Sequence, residues 1–391
     1  MDGHGEAWNM RLLGQTDLHG HGDCMHVNLK DHYAFVGHMG ESRVGTSVVD
    51  VSDPRQPRLV KQLETPPGTH SHKVQVVDDI LLVNYERSMY EPNAPTWQGG
   101  LKVFDVSKPE APREIAFLAM PGKGVHRMTY WQSPYAFMSG SDDGYLDQFL
   151  VIVDLADPST PREVGRWWFP GQHTAAGEPM SWTPSASHGG QPGAKRVALH
   201  HPLIRGDRAY CGWWDAGLVV LDITDLGCPK LVSQLDFGSE VSGATHSALP
   251  VPGRDILVVT DEQLADDCQG LFAQVRVVDI SDELNPRVIA EFPRPRGDFC
   301  SRGGRFGPHN VHEMRPGSLI DPNTMYLTYF NAGLRVVDIS DATQPREVAY
   351  FVPEAPPGRS SIQFNDVLVG SDGLVYVTDR YRGGLYILER T

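Results

Sequence analysis

Basic residues are scarce in this sequence, and so are cysteines and long apolar runs. Lys and Arg together number 34 against 49 Asp and Glu, which gives the 391 residues a formal net charge of −15. Proteins that bind nucleic acid or an anionic membrane surface usually carry a basic patch, so we expect neither partner. No apolar run reaches the roughly 18 residues of a membrane helix, and no charged-then-apolar leader opens the chain. These absences favour a soluble protein, and we expect it in the cytoplasm.

The cysteines are too few and too scattered to predict a disulfide framework. They are odd in number and show no Cys-x-x-Cys spacing, at Cys24, Cys211, Cys228, Cys268 and Cys300. We therefore expect no network of disulfides. Cys24 lies two residues before a histidine that is discussed below, and both a thiolate metal ligand and a buried structural thiol stay open for it.

An internal repeat dominates what is present. The segment Leu334–Phe351, LRVVDISDATQPREVAYF, contains a β-branched run, an Asp-Ile-Ser-Asp turn, a Pro and a second apolar run. Five related segments and a truncated one begin at Thr46, Leu101, Leu150, Leu218, Val275 and Leu385. The Asp that follows each full apolar run recurs at intervals of 49 to 68 residues. Such a period holds four short strands, which is the content of one propeller blade.

The number of repeats predicts how the ring closes. Blades begin near residues 25, 71, 125, 199, 245, 311 and 364, which makes seven. The last blade supplies only three strands, whereas residues 10–18, MRLLGQTDL, have the pattern of a fourth strand. The sequence therefore predicts an all-β, seven-bladed β-propeller, with residues 1–391 as one domain and the last blade closed by an N-terminal strand. A row of two-sheet sandwiches would leave this displaced strand unexplained.

The repeat resembles a known family. The pattern AYVxxxxxGLxVxDISDPxxPxxVxxY is similar to that of LVIVD-repeat proteins, which are taken to be β-propellers, and the likeness covers nearly the whole chain. The resemblance implies the fold and says little about activity, because one fold carries many functions.

Histidines recur in the first strand of six blades. They are His26, His72, His126, His200, His246 and His312, and the seventh blade has Asn365 at this place. First strands of a propeller line the central axis, so these side chains should converge. Imidazole is a common ligand of transition metals, and the pattern predicts one transition-metal ion, Fe, Mn, Cu or Zn, held by three to five of the six. The alternative is a wet axial channel that takes polar residues of any type.

Neighbouring histidines leave two points open. His200 or its neighbour His201 faces the axis, and the sequence does not decide between them. His70 and His309 are predicted to orient the metal ligands rather than to bind the ion themselves.

Charged side chains gather at one predicted end of the ring. The turns between second and third strands, and the loops that enter the first strands, carry groups such as Glu41, Glu86, Glu262 and Arg380. Longer segments at residues 88–98, 172–197, 263–273 and 296–308 are predicted to cover this mouth. Glu86 and Glu262 are candidates for a general base, and Arg380 or Arg127 for holding a substrate carboxylate or phenolate. Solvated loop charge is the simpler explanation of the same residues.

The predicted axial histidines suggest an enzyme. In arrangement only, they resemble those of carotenoid-cleavage oxygenases, in which four histidines from different blades hold non-haem iron, and of methanethiol oxidase in the selenium-binding family. The motifs that surround the histidines in those families are missing here. We therefore predict a metal-dependent enzyme acting on a small organic substrate, with oxidoreductase or oxygenase chemistry favoured. A metal-dependent hydrolase or lyase is one alternative, and a non-catalytic binding scaffold is another.

Overall fold

The computed structural model describes residues 5–40, 42–185, 194–238 and 244–391. Glu41 and part of the predicted cover at residues 172–197 lie outside the described residues. Within the described residues the regular structure is β-strand apart from two short 3-10 helices, Thr174–Ala176 and Cys300–Arg302. Neither helix has the length or the apolar character needed to cross a membrane.

Seven antiparallel sheets follow one another along the chain, each forming one blade. Two strands precede the first blade, β1 Glu6–Trp8 and β2 Met10–Thr16. Blade one consists of β3 Cys24–Lys30, β4 Tyr33–His38, β5 Val44–Asp50 and β6 Arg58–Glu64. Blade two consists of β7 Thr69–His70, β8 Val74–Val77, β9 Ile80–Arg87, β10 Gly100–Asp105 and β11 Arg113–Ala119. Blade three consists of β12 Arg127–Thr129, β13 Tyr135–Gly140, β14 Phe149–Asp154 and β15 Arg162–Trp167.

The remaining blades complete the ring. A short parallel pair, β16 Thr183–Pro184 and β17 Ala194–Lys195, precedes blade four. Blade four consists of β18 His201–Arg205, β19 Arg208–Gly212, β20 Leu218–Asp222 and β21 Lys230–Leu235. Blade five consists of β22 Thr245–Pro250, β23 Ile256–Asp261, β24 Val275–Asp279 and β25 Arg287–Glu291. Blade six has β26 Thr324–Thr328, β27 Leu334–Asp338 and β28 Arg346–Val352, and blade seven has β29 Phe364–Val369, β30 Val375–Asp379 and β31 Gly384–Arg390.

The N-terminal strands close the ring, which confirms the predicted closure. Strand β2 pairs antiparallel with β31, from Met10 opposite Arg390 to Thr16 opposite Leu385, and so becomes the fourth strand of blade seven. Strand β1 was not predicted, and it pairs with β28 as an additional outer strand of blade six. Both pairings cover edges that would otherwise present unpaired N–H and C=O groups.

The repeat supplies the core of each blade. In β14 every residue from Phe149 to Asp154 is buried, as expected for a strand packed between two neighbouring blades. The outer strand β11 contains only exposed and half-buried residues, because one of its faces meets solvent. The repeated apolar run therefore forms a third strand that is largely buried in each of blades one to six.

The repeated Asp has a structural role. Asp338 Oδ1 accepts the backbone N–H of Ser340 at 2.8 Å, and its Oδ2 accepts a hydrogen bond from Arg346 at 2.8 Å. Equivalent Asx turns follow the Asp of the other repeats at Asp50, Asp105, Asp154, Asp222 and Asp279. The Asp thus ends the third strand and sets the turn into the fourth.

One disulfide corrects the expectation from cysteine spacing. Cys268 and Cys300 are bonded, with Cα atoms 5.5 Å apart. They lie in two of the segments predicted to cover the mouth, 32 residues apart in sequence, so only the fold brings them together. Cys24 is buried in an apolar cluster, and burial followed by the charge of Asp23 raises the pKa of its thiol well above the ordinary value. This environment suits the structural reading of Cys24.

Candidate metal centre

The second strand of each blade fixes the register of the first. In blades one to six, the residue opposite the fifth position of the second strand belongs to a set that we call the lower ring. In blade seven the lower-ring residue lies opposite Thr378, the fourth position of β30. The residue before each lower-ring residue belongs to the upper ring. In blade five a bulge places His246 between Thr245, opposite Asp261, and Ser247, opposite Thr260. The same bulge occurs at Met25 in blade one and at Asn365 in blade seven.

Counting in this register gives one member of each ring per blade. The upper ring consists of Met25, His72, His126, His200, His246, His309 and Asn365. The lower ring consists of His26, Lys73, Arg127, His201, Ser247, Asn310 and Asp366. In blades one, five and seven the bulge lets two consecutive residues line the axis at different depths.

Two of the six predicted ring histidines lie elsewhere. His26 belongs to the lower ring, where its Nε2 is 3.7 Å from Asp366 Oδ2. His312 belongs to neither ring, since its Nε2 bonds Leu319 O at 2.8 Å and its Nδ1 accepts the Val369 N–H at 3.2 Å. In blade six His309 takes the upper position, because its backbone N–H donates a hydrogen bond to the Thr328 carbonyl oxygen. The predicted upper-ring position is therefore displaced by one residue in blade one, from Met25 to His26, and by three residues in blade six, from His309 to His312. In both blades the histidine was aligned with those of the other blades by its sequence motif.

Four predicted histidines and two expected neighbours do converge. Successive ring centroids are separated by 5.1 Å for His70 and His72, 4.9 Å for His72 and His126, and 4.9 Å for His126 and His200. The row continues at 3.9 Å from His200 to His246 and at 4.5 Å from His246 to His309. We call the space bounded by these six side chains, Glu86 and Glu262 the histidine chamber. Its wall includes Trp214, 4.5 Å from the His200 ring, and Phe330, stacked at 4.9 Å on His309.

Carboxylates complete two groups with the spacing of metal ligands. His200, His246 and Glu262 offer ligand atoms that all lie within 4.8 Å of one another, and so do His70, His72 and Glu86. All six residues are buried. The hydrogen bonds on the far side of each imidazole decide which group presents lone pairs.

Backbone carbonyls fix the protons of His200 and His309. Nδ1 of His200 lies 3.0 Å from the His246 carbonyl oxygen, and Nδ1 of His309 lies 2.7 Å from that of Asn365. A carbonyl only accepts, so each Nδ1 carries the hydrogen, and each neutral ring has its lone pair at Nε2. Burial lowers the pKa of both rings, that of His309 to about 3, which keeps them neutral. This is the usual hydrogen-bonding pattern of metal-binding histidines.

A chain of hydroxyls fixes His246 in the same form. Thr129 Oγ1 donates its hydrogen to the Pro202 carbonyl at 2.5 Å, so it accepts from His201 Nε2 at 3.2 Å. His201 Nδ1 must then accept from Ser247 Oγ at 2.9 Å. Because Ser247 has no second hydrogen, its oxygen accepts from His246 Nδ1 at 2.8 Å. His246 Nε2 is left with a lone pair in the chamber, buried and without a hydrogen-bond partner among the described residues.

His126 and His72 have opposite polarities. His126 Nδ1 donates to Glu86 Oε2 at 2.9 Å, so a neutral His126 has its lone pair at Nε2. Asn84 Oδ1 accepts the backbone N–H groups of His72 and Lys73, so its amide nitrogen faces His72 Nδ1 at 3.2 Å as a donor. A neutral His72 therefore carries its hydrogen on Nε2, which makes it a hydrogen-bond donor to the chamber rather than a ready ligand.

Glu86, predicted as a general base, holds two histidines. Its Oε2 lies 2.9 Å from His126 Nδ1 and 3.2 Å from His70 Nε2. Burial acts to raise the pKa of Glu86, but the charges and hydrogen bonds of His126 and His70 outweigh it and hold the pKa far below its usual range. A carboxylate so stabilised is a weak base, and its geometry is that of a group that positions His126.

Glu262, the second predicted base, faces a lone pair. Its Oε1 accepts a hydrogen bond from Arg305 at 2.7 Å and lies 3.7 Å from Nε2 of His309. Nε2 of His309 is unprotonated, so two electron-pair donors point at the same space. A cation between them would remove this repulsion, as would be expected of a metal site.

Arg380, the predicted substrate-binding residue, lies at the edge of the chamber. Burial, followed by the repulsion from the charge of Arg305, lowers the pKa of Arg380, and the negative charge of Glu262 acts in the opposite direction. No carboxylate of the described residues lies within ion-pair distance of it. Arg127, the other candidate, lies in the lower ring, where its two terminal nitrogens donate to Asn310 Oδ1 at 2.8 Å and Glu313 Oε1 at 2.9 Å.

Comparison with known proteins supports the fold. The LVIVD repeat model matches residues 21–65, 144–167, 203–236 and 323–351. The predicted resemblance to LVIVD-repeat propellers is therefore confirmed. No curated protein matches the chain.

Solved structures with a similar fold are distant in sequence. A hypothetical selenium-binding protein from Sulfolobus tokodaii is 13% identical, with a TM-score of 0.60 over 91% of this chain and 84% of that one. The WD40 propeller domain of Doa1 is 9% identical, with a TM-score of 0.60 over 98% and 97% of the two chains. The Cps50 (Swd1) propeller domain of Myceliophteria thermophila is 12% identical, with a TM-score of 0.58 over 95% and 97%. At such identities the likeness concerns the fold alone.

Proposed function

We propose that this LVIVD-repeat propeller is a metal-dependent enzyme that holds one transition-metal ion in the histidine chamber and acts on a small organic substrate. The ligands would be Nε2 of His200, His246 and His309 with the carboxylate of Glu262, and His126 would stand beside them. The single observation that carries the proposal is the pair of lone-pair donors, His309 Nε2 and Glu262 Oε1, 3.7 Å apart in a buried site.

The donor set suits the metals that the sequence suggested. Three neutral imidazoles and a carboxylate are ligands that Fe, Mn, Cu and Zn accept. Hydrogen bonds from the far sides of the rings fix the three ligand tautomers, as outer partners do in known metal sites. A bound ion of this kind supplies redox chemistry if it is Fe, Mn or Cu, and Lewis-acid activation of water if it is Zn.

The chain's own residues would bind and orient the substrate. His126, with a quarter of its side chain exposed, is the chamber histidine open to solvent, and Glu86 holds its ring. The Nε2–H of His72 faces inward as a donor for an oxygen atom of the substrate. Arg380 would hold a carboxylate or phenolate at the edge, and the Trp214 and Phe330 rings would exclude water from the histidines. We favour oxidoreductase chemistry, with hydrolase or lyase chemistry as the alternative.

Metal content tests the proposal. Protein purified without a His tag should contain close to one equivalent of Fe, Mn, Cu or Zn by elemental analysis, or should bind one with a gain in thermal stability. His246→Ala should lower the occupancy, whereas His312→Ala, which alters a buried histidine outside the chamber, should leave it unchanged. Recovery of Zn alone would favour the hydrolase or lyase alternative. Less than about a tenth of an equivalent, with no stabilisation by added Fe(II), Mn(II), Cu(II) or Zn(II), would leave the binding-scaffold alternative.

A further inference from the structure

A lysine lies on the propeller axis directly below the chamber. Asn84 Oδ1 accepts the backbone N–H groups of both His72 and Lys73, at 2.9 and 2.7 Å, and so holds the bulge that carries these two residues. Lys73 is 2% exposed. Its ammonium acts electrostatically on groups from each of the other six blades, namely His26, Arg127, His201, Glu262, Glu313 and Asp366. Only a group close to the axis can be near all of them.

This ammonium has no counter-charge in contact with it. Within the described part of the chain no carboxylate oxygen lies within 4.0 Å of Lys73 Nζ, and no hydrogen bond of its side chain is formed. Asp366, the acid of the same ring, accepts the Val27 N–H at 2.9 Å and lies 3.7 Å from His26. Burial, followed by the charge of Arg127, lowers the pKa of Lys73 to about 7, which is the expected consequence of a cation kept from water.

Positive charge and free donors are in excess around it. Glu313 neutralises Arg127 at 2.9 Å. Arg315 is also buried, and among the described residues its guanidinium donates a hydrogen bond only to the amide oxygen of Gln75, at 3.2 Å. Within the described residues, Asp366 is thus the nearby acid that has no Lys or Arg in ion-pair contact, and the cations Lys73 and Arg315 share it. Nε of Arg127 and Nε2 of Gln75 are buried donors without partners among the described residues. An uncompensated buried charge is costly, and an acceptor with negative charge would satisfy it.

We propose that the axis between the upper and lower rings binds a small monovalent anion, with Lys73 as its principal contact. The anion is either a free inorganic ion such as chloride or the carboxylate group of a substrate that reaches down from the chamber. In the second case the inference rests on the proposed function and narrows its substrate to small carboxylates. In the first case it stands without any metal.

Calorimetric titration with sodium chloride and with sodium acetate tests the site, in the full-length protein both as purified and after removal of metal by a chelator. The wild type should bind at least one of the two anions at constant ionic strength. Lys73→Met should weaken that binding at least about tenfold, because a charge-assisted hydrogen bond is lost, and Lys73→Arg should restore part of it. Lys61→Met, which removes an exposed lysine, should change nothing.

Stability separates this role from a purely structural one. Removal of an unpaired buried charge should leave the melting temperature of Lys73→Met equal to or above that of the wild type in low-anion buffer, and should abolish its rise on adding the anion. Chloride binding alone would assign the free ion, and acetate binding that chloride does not compete would assign a carboxylate. Absence of binding in the wild type, or equal binding by Lys73→Met, would overturn the inference. Metal titration of the same variant would show separately whether the proposed metal site is intact.

Discussion

Ser247 offers a sharp test of the chamber because it contacts His246 at Nδ1 and not at Nε2, the atom proposed to bind the metal. Its oxygen accepts from His246 Nδ1 at 2.8 Å, and its hydrogen goes to His201 Nδ1 at 2.9 Å. Ser247→Ala removes the acceptor that keeps the His246 hydrogen on Nδ1. The ring could then place its hydrogen on Nε2, the atom proposed to bind metal.

The expected loss follows from the role of such outer hydrogen bonds. Removing one lowers metal affinity by about 10- to 100-fold, which corresponds to about 1.4 to 2.7 kcal/mol. The same change leaves His201 Nδ1 without its donor, and we expect about 1 to 3 kcal/mol of lost folding stability. Zn(II) affinity, measured by competition with a chromophoric chelator, reports the first effect, and thermal unfolding of the metal-free protein reports the second.

Thr260→Val is the matched control. Thr260 lies directly opposite Ser247 on the neighbouring strand, and its buried hydroxyl has no hydrogen-bond partner among the described residues. This variant should keep wild-type Zn(II) affinity. Unchanged affinity in Ser247→Ala, or an equal loss in both variants, would refute the tautomer argument.

Three further predictions concern the fold. The pKa values of Asp279 and Asp338 are lowered to about 2, chiefly by backbone hydrogen bonds within their turns. A depressed carboxyl pKa stabilises the folded state above about pH 4. Chemical denaturation should show that this contribution to the free energy of unfolding is lost as the pH falls towards 2. Denatured, unreduced protein should react with three equivalents of a thiol reagent, whereas five reactive thiols would contradict the disulfide. Replacing Cys268 and Cys300 by Ser should lower the free energy of unfolding by about 3 kcal/mol, because the denatured chain loses a cross-link. Deletion of residues 1–18 should leave β31 as an open edge and give aggregated protein in size-exclusion chromatography; a soluble monomer of unchanged melting temperature would contradict the closure.

The repeat made the fold predictable. Each copy contains its own strand, turn and Pro, so the local sequence at Leu150–Asp154 or at Leu334–Asp338 already indicates a buried third strand. The missing strand of the last blade and the spare one at residues 10–18 then required the closure that β2 makes with β31. These features depend on short-range patterns, and such patterns are present in the sequence.

The convergence of histidines from several blades was predicted, but two of the six positions were misplaced. His72, His126, His200 and His246 converge because in blades two to five the histidine directly precedes the lower-ring position. Aligning the first strands by their distance from the second strand would have placed the lower-ring residue opposite Gly37 in blade one and opposite Thr328 in blade six. This alignment gives the correct positions in both blades. The sequence offered this signal, but the repeated histidine motif concealed it.

Sequence alone determined that imidazoles from several blades meet on an axis, because strand order and the repeat period follow from local pattern. Tertiary structure decided which of them present lone pairs. The Nδ1 hydrogens of His200 and His309 are fixed by backbone carbonyls of the next blade, those of His246 and Asn365. Ser247, which fixes His246, is its sequence neighbour, but the direction of the Ser247 hydroxyl is set by His201 of blade four. A tautomer depends on the partner of the opposite ring nitrogen, and here the fold supplies either that partner or the contact that orients it.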